Sequence, residues 1–191
     1  SYVFAPENRW GFFPSVSLGW VISEEQFFKK ALPFVDYFKI RASYGESGND
    51  NVTPYLYNST FSVAQNSMIF GDAPVSQFYS SNAYIYRNLT WSTTKSWNLG
   101  LDFNLFGQKL GVELDVFYQL TKDILESRSG SYPTSLGGYY PSYQNSGKVS
   151  NKGFELTLKH HNRINKDWNY SLTGNVSFAR NKVLAKAVTD N

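Results

Sequence analysis

From Trp97 to Leu120 the apolar residues alternate along two runs joined by a short turn. Trp97, Leu99, Leu101, Phe103 and Leu105 take the odd positions, with Asn98, Gly100, Asp102 and Asn104 between them. After Phe106-Gly107-Gln108-Lys109 the even positions are apolar: Val112, Leu114, Val116, Tyr118 and Leu120. Glu113, Asp115, Phe117 and Gln119 separate them. A period of two puts one greasy and one wet face on each strand. With Gly107 and Gln108 at the tip, Leu105 opposes Leu110, Phe103 opposes Val112 and Leu101 opposes Leu114. Both apolar sets then share a face, so the pattern predicts a hairpin as well as two strands. Faces of roughly ten residues fit strands that cross a membrane in a β-barrel wall.

The same period recurs elsewhere and predicts six strands in all. The first runs from about Phe12 to Ile22, with Val16, Leu18, Trp20 and Ile22 in phase and Pro14 weakening its outer end. Ser23-Glu24-Glu25 then predicts a short helical turn through Lys30, with Ser23 as its N-cap. The second strand is Phe38 to Tyr44, with Lys39, Arg41 and Ser43 on its polar face. Strand five covers about Val149 to His160. Strand six follows a turn at Asn162 to Asp167 and carries Trp168, Tyr170, Leu172, Val176 and Phe178 on one face.

Two long polar connections, Gly45 to Trp91 and about Lys122 to Gly147, follow strands two and four. Short extended pieces such as Asn82 to Arg87 are expected within the first. Compact turns follow the other strands. Outer-membrane barrels have this asymmetry, with short periplasmic turns and long extracellular loops. Strands one, three and five then run inward, and two, four and six outward. Trp20, Trp168 and Tyr170 fall near inner ends, and Tyr44, Trp97 and Tyr118 toward outer ends, as interfacial girdles require.

Composition narrows the choice of class. Aromatics make up 18% of the 191 residues, with 14 Tyr, 15 Phe and 5 Trp, which is too many for disorder. No apolar run approaches the roughly 20 residues of a membrane helix. The net charge of +3 comes from 18 basic and 15 acidic residues spread along the chain, so nucleic acid is not an expected partner. The absence of cysteine excludes disulfides and thiol chemistry.

Several segments resemble the SusC/RagA-like class of TonB-dependent outer-membrane transporters. They are Asn8-Arg9-Trp10-Gly11-Phe12-Phe13-Pro14-Ser15-Val16-Ser17-Leu18-Gly19-Trp20, then Phe38-Lys39-Ile40-Arg41-Ala42-Ser43-Tyr44-Gly45 with Gly48-Asn49, Leu89-Thr90-Trp91, and Asn98-Leu99-Gly100-Leu101-Asp102-Phe103. Val149-Ser150-Asn151-Lys152-Gly153-Phe154-Glu155-Leu156 and Ala179-Arg180-Asn181-Lys182-Val183 complete the series in order. The resemblance implies an all-β fold, part of an antiparallel up-and-down barrel of about 22 strands with a plugged lumen. It implies a home in the outer membrane of a Gram-negative bacterium. Its implied partners are membrane lipid, a SusD-like surface lipoprotein, TonB, and an oligosaccharide or peptide nutrient, with no cofactor. The whole stretch 1–191 is then expected to be barrel wall, with the plug, the TonB-contacting segment and the closing strands outside it.

Two sets of residues are candidates for function. On the expected lumen face Asp102 opposes Glu113, with Asp115 two residues on. Arg41 and Lys39 lie on the preceding strand and Lys159 on the following one. Like charges directly opposed are unfavourable unless compensated. They either neutralise within the wall or dock basic residues of a plug. In the outer loops Tyr55, Tyr57, Phe78, Tyr79, Tyr132, Tyr139, Tyr140 and Tyr143 offer flat rings with polar tips, suited to sugar stacking, to lid contacts, or simply to packing the loops. Glu46 to Asn51 lacks the spacing of a calcium loop. His160 and His161 are adjacent, so on a strand they face opposite ways and cannot chelate one ion in the usual manner. Nothing supports a catalytic triad, and no enzyme is expected. A soluble carbohydrate-binding β-sandwich and a small outer-membrane adhesin or structural barrel remain the alternatives.

Overall fold

The computed structural model describes residues 1–58, 61–70, 73–80, 86–127, 135 and 143–186, with backbone alone over 61–70 and 73–80. The strands are β1 (Ser15–Val21), β2 (Val35–Asn49), β3 (Phe61–Phe70), β4 (Ala73–Ser80), β5 (Ser92–Leu105), β6 (Leu110–Ser127), β7 (Tyr143–Arg163) and β8 (Asn169–Ala185). One antiparallel sheet holds six of them in the order β1-β2-β5-β6-β7-β8. β3 and β4 pair separately. This is an all-β segment of a barrel wall. The sheet stays open, with one edge each on β1 and β8 unpaired among the described residues.

The expected hairpin register is present: Leu105 faces Leu110, Phe103 faces Val112, Leu101 faces Leu114 and Asp102 faces Glu113. The turn differs in detail. Phe106, Gly107 and Gln108 all have positive φ, at 58°, 67° and 63°. Only the glycine adopts this region without steric cost. The other two are tied to the neighbouring turn. The Gln108 N–H donates to Asp36 Oδ2 at 2.8 Å, and the Phe106 N–H donates to the Phe34 carbonyl at 3.1 Å. The Phe106 ring stacks on Phe34 at 6.0 Å.

Three expectations need correction. The connection after Tyr44 is not loop from Gly45 onward, because β2 continues to Asn49 in register with β5, and a separate hairpin, β3–β4, follows. The suggested pairing of Asn82 to Arg87 falls largely outside the described residues. The Lys122 to Gly147 connection is shorter than expected, since β6 runs on to Ser127 and β7 begins at Tyr143. Mostly polar side chains in these stretches gave no apolar period to mark the strands. Ser23 is not a helix cap. It is buried in a 3-10 turn, Ile22–Glu24, and the helix α1 (Gln26–Ala31) is N-capped by Glu25 without a side-chain bond.

The even face of β2 and its in-phase partners form a continuous apolar surface on one side of the sheet. Leu18, Val16, Leu99, Val116, Phe154, Val176 and Phe178 on it are all exposed. An exposed apolar surface this extensive must be covered by lipid or protein. Among the described residues no helix is long and apolar enough to cross a membrane. The buried apolar core is small and lies at the end of the long connections, where Val3, Phe4 and Leu89 pack with Val52, Leu56, Tyr86, Trp91 and Leu125.

Candidate functional site

The opposite, polar face carries a charge network centred on Arg41. In the ladder Arg41 faces Gly100, and Gly100 faces Asp115. The guanidinium leans along the sheet to Asp102, with Nε to Oδ2 and Nη2 to Oδ1 both 2.9 Å. Nη2 also reaches across β5 to Asp115 Oδ2 at 3.0 Å. The fork geometry of arginine allows one side chain to hold two carboxylates from two strands. Gly100 makes the crossing possible: a Cβ there would lie 2.7 Å from Arg41 Cζ and 2.8 Å from Asp115 Oδ1.

Glu113, directly opposite Asp102, has its own partner. Lys159 Nζ donates to Glu113 Oε1 at 2.5 Å from a diagonal position on β7. Lys39 faces Asp102 across the β2–β5 ladder. The opposed acids are therefore compensated from both neighbouring strands. One further acid was not anticipated: Glu155 faces Asp115 across β6–β7 and has no ion pair among the described residues. Its odd position on a strand whose apolar residues are even was the available signal.

Phe117, the apolar residue on this polar face, lies over Gly153. They are ladder partners, and a Cβ on Gly153 would come within 2.8 Å of Phe117 Cζ and 2.1 Å of the Phe178 carbonyl oxygen. An aromatic ring covering a strand glycine shields backbone that has no side chain of its own.

At the outer end, two of the family-like segments meet. Asn8 Nδ2 donates to the carbonyls of Arg87 and Leu89, at 3.0 and 3.2 Å, and its own carbonyl accepts from Trp91 Nε1 at 3.1 Å. Arg9 Nη2 donates to the Tyr57 hydroxyl at 3.2 Å and lies over its ring at 6.0 Å. Tyr55, with φ of 64°, packs 6.3 Å from both Tyr2 and Tyr57. Tyr2 and Tyr55 present exposed rings, whereas Tyr57 is half-buried. Beside them a depression of about 260 Å³ is lined by Glu7, Tyr57, Asn58 and Arg87 with Ala5 and Pro6. Sequence reasoning missed Arg9, whose partner Tyr57 lies 48 residues farther along the chain.

Of the other candidate aromatics, one is described with its side chain. Tyr143 opens β7 and meets Tyr86 edge-on at 5.7 Å. Phe78 and Tyr79 lie on β4, where only the backbone is described. Tyr132, Tyr139 and Tyr140 fall outside the described residues. Glu46 belongs to strand β2 and forms a 2.9 Å ion pair with Lys95. His160 packs 5.5 Å from Tyr170.

Residues 2–191 match the family described as TonB dependent receptor-like, beta-barrel. TonB-dependent receptor P3 of Formosa agariphila is 32% identical over 184 residues, covering 95% of this chain and 17% of that protein. TonB-dependent receptor SusC of Bacteroides thetaiotaomicron is 30% identical over 185 residues, covering 94% of this chain and 18% of SusC. The solved structure of the RagAB peptide importer in its 'closed-closed' state superposes with a TM-score of 0.78 at 26% identity. It covers 100% of this chain and 20% of that one. The chain thus spans less than a fifth of the length of these curated relatives.

Proposed function

This chain belongs to the TonB-dependent receptor β-barrel family, and we propose that it serves as barrel wall in an outer-membrane importer driven through TonB. The observation that carries this reading is the sheet itself. Over the middle of all six strands one face is apolar, the other is polar and carries paired charges, and the long connections leave from one end. Lipid would cover the first face, and an aqueous lumen with its plug would lie against the second. The residues 1–191 would then form one part of a single barrel domain. A soluble sandwich would have to bury the same apolar face in a second sheet, and nothing in the arrangement favours that.

We assign the Arg41–Asp102–Asp115 and Lys159–Glu113 pairs to wall cohesion in preference to docking a plug, because each acid already has a cation within the sheet. Asp102→Asn with Glu113→Gln in the full protein should leave plug retention and uptake unchanged. A loss of either would assign the acids to the plug.

For cargo we favour an oligosaccharide, on the exposed rings of Tyr2 and Tyr55 at the loop end, whose flat faces and polar tips suit sugars. A peptide is the second reading, favoured by the structural likeness to the RagAB peptide importer. A SusD-like lipoprotein would cover the loops. Growth of a strain carrying the full gene, its deletion, or a TonB deletion would test this, with oligosaccharide or oligopeptide as sole carbon source. Deletion-sensitive, TonB-dependent growth on oligosaccharide alone supports the first reading, and on peptide alone the second. Growth indifferent to both deletions contradicts import.

A further inference from the structure

We infer that the outward face of this sheet carries a binding site for a phosphate-bearing lipid, at and just beyond the outer aromatic girdle. The inference rests on the membrane orientation proposed above. Tyr44, Trp97 and Tyr118 form one hydrogen-bonded row across β2, β5 and β6, and the same row continues to Lys152 on β7 and Arg180 on β8. One step farther out the row reads Glu46, Lys95, Leu120, Ser150 and Lys182. One step beyond that, Lys122 faces Thr93. All share the phase of the apolar residues, so these cations stand on the lipid side rather than in the lumen.

The height of Lys122 fits a headgroup layer. On β6 the apolar phase runs from Leu110 to Leu120, about 33 Å along the strand at roughly 3.3 Å per residue. At a tilt of about 40° this is about 25 Å of height, the thickness of an outward apolar band. Lys122 is the next residue in phase. Lys152 and Arg180 stand two in-phase steps below Lys122, in the girdle row, from which long side chains reach up toward the interface.

The charge balance is one-sided. Glu46 is the sole carboxylate in the two rows and is already paired with Lys95 at 2.9 Å. Lys122, Lys152, Arg180 and Lys182 form no ion pair among the described residues. Lys152 has both neighbouring strands in place, so its lack of an ion pair is not a consequence of the open edge, whereas Lys122, at the irregularity in the β6–β7 register, lies within electrostatic reach of Glu46.

Directly below lie two shallow apolar depressions. One, of about 400 Å³, is lined by Leu18, Ala42, Tyr44, Trp97, Leu99 and Val116 among others. The other, of about 330 Å³, lies between Val116, Tyr118 and Phe178, with Lys152 at its margin. Acyl chains seated in these depressions place an anionic headgroup against the cations. A zwitterionic lipid fills the depressions equally well and gains less from the charges. The occupant is therefore a lipid with a net negative phosphate headgroup.

The test is native mass spectrometry of the full-length protein in detergent. It is titrated with phosphatidylglycerol, with phosphatidylcholine, and with phosphatidylglycerol in the presence of millimolar inorganic phosphate. The wild type should prefer phosphatidylglycerol, and inorganic phosphate should not release it. Lys122→Gln with Lys152→Gln should weaken phosphatidylglycerol about 25-fold, from about fivefold per basic residue near a charged membrane surface. Phosphatidylcholine should be unaffected. Glu46→Gln frees Lys95 and should tighten phosphatidylglycerol a few-fold, which provides a gain-of-binding variant that misfolding cannot imitate. Equal binding of the two lipids by the wild type overturns the site. So does unchanged phosphatidylglycerol affinity in both variants. Release by inorganic phosphate reduces it to a free-anion site and overturns the lipid assignment. Cell fractionation separates the two levels of failure: a protein absent from the outer membrane refutes the barrel-wall reading itself, while an outer-membrane protein without lipid preference refutes only this site.

Discussion

Gly100→Ala is a small substitution whose cost should depend almost wholly on a residue one strand away. The new Cβ would lie 2.7 Å from Arg41 Cζ, 2.8 Å from Nη2 and 2.8 Å from Asp115 Oδ1. Carbon contacts are comfortable near 3.5–4.0 Å, so the guanidinium must withdraw. Its 3.0 Å bond to Asp115 is then lost, while the bonds to Asp102 can survive. A charge-assisted hydrogen bond contributes about 1.5–3 kcal/mol. Side-chain exposures of 37% for Arg41 and 26% for Asp115 bring that to about 1–1.5 kcal/mol, because solvent screens the pair. Crowding adds about 1 kcal/mol. Removing a strand glycine returns about 0.5 kcal/mol. The net destabilisation is about 2 kcal/mol by these magnitudes. In an Arg41→Ala background only Asp115 Oδ1 remains close, at 2.8 Å, on a carboxylate no longer held by the guanidinium and free to rotate, so the same change should be neutral or stabilising by up to about 0.5 kcal/mol. The coupling energy of the cycle is therefore about 2 kcal/mol. Urea unfolding of the full-length protein and its three variants in phospholipid vesicles measures it. Equal costs of Gly100→Ala in the two backgrounds would refute the claim that this glycine exists to let Arg41 cross the strand.

Other expected outcomes follow from the same packing. Gly153→Ala forces a Cβ to within 2.1 Å of the Phe178 carbonyl oxygen, which is backbone and cannot rotate away, so it should destabilise the β7–β8 pairing by about 1–3 kcal/mol in the same unfolding assay. Asn145 bonds both the N–H and the carbonyl of Thr90, and its Nδ2 also donates to the Asp123 carbonyl at 2.8 Å. Asn145→Ala should raise amide hydrogen exchange at Thr90 by about fivefold or more, from the roughly 1–3 kcal/mol cost of leaving such groups unpaired. Arg9→Met should loosen Tyr57 and Tyr55 together, seen as increased tyrosine accessibility to iodination, because Arg9 bonds the Tyr57 hydroxyl and covers its ring.

The parts of the fold governed by period two were legible in the sequence. The hairpin register from Leu105 and Leu110 to Leu101 and Leu114 follows from alternation alone, since a one-residue slip would turn each apolar residue into the lumen. The opposed acids Asp102 and Glu113 come with that register. Alternation fails where neither face is apolar. Gly45 to Asn49 and the outer parts of β6 and β7 carry mostly polar residues with no sustained apolar phase, and such sequence reads as loop. The roles of Gly100 and Arg9 could not be read at all. Each depends on a neighbour brought in by tertiary pairing: Arg41, 59 residues before Gly100, and Tyr57, 48 residues after Arg9.

Cysteine scanning along β5 tests the central claim most directly, since the native sequence has no cysteine in this stretch to interfere. Single cysteines at positions 98 to 104 of the full-length protein in intact outer membranes would be probed with a water-soluble maleimide and with a lipid-dissolved one. The account predicts strict alternation: Asn98, Asp102 and Asn104 positions react from water, and Leu99, Leu101 and Phe103 positions react only from lipid. Uniform labelling by the water-soluble reagent, or alternation in the opposite phase, would contradict a membrane-facing barrel wall.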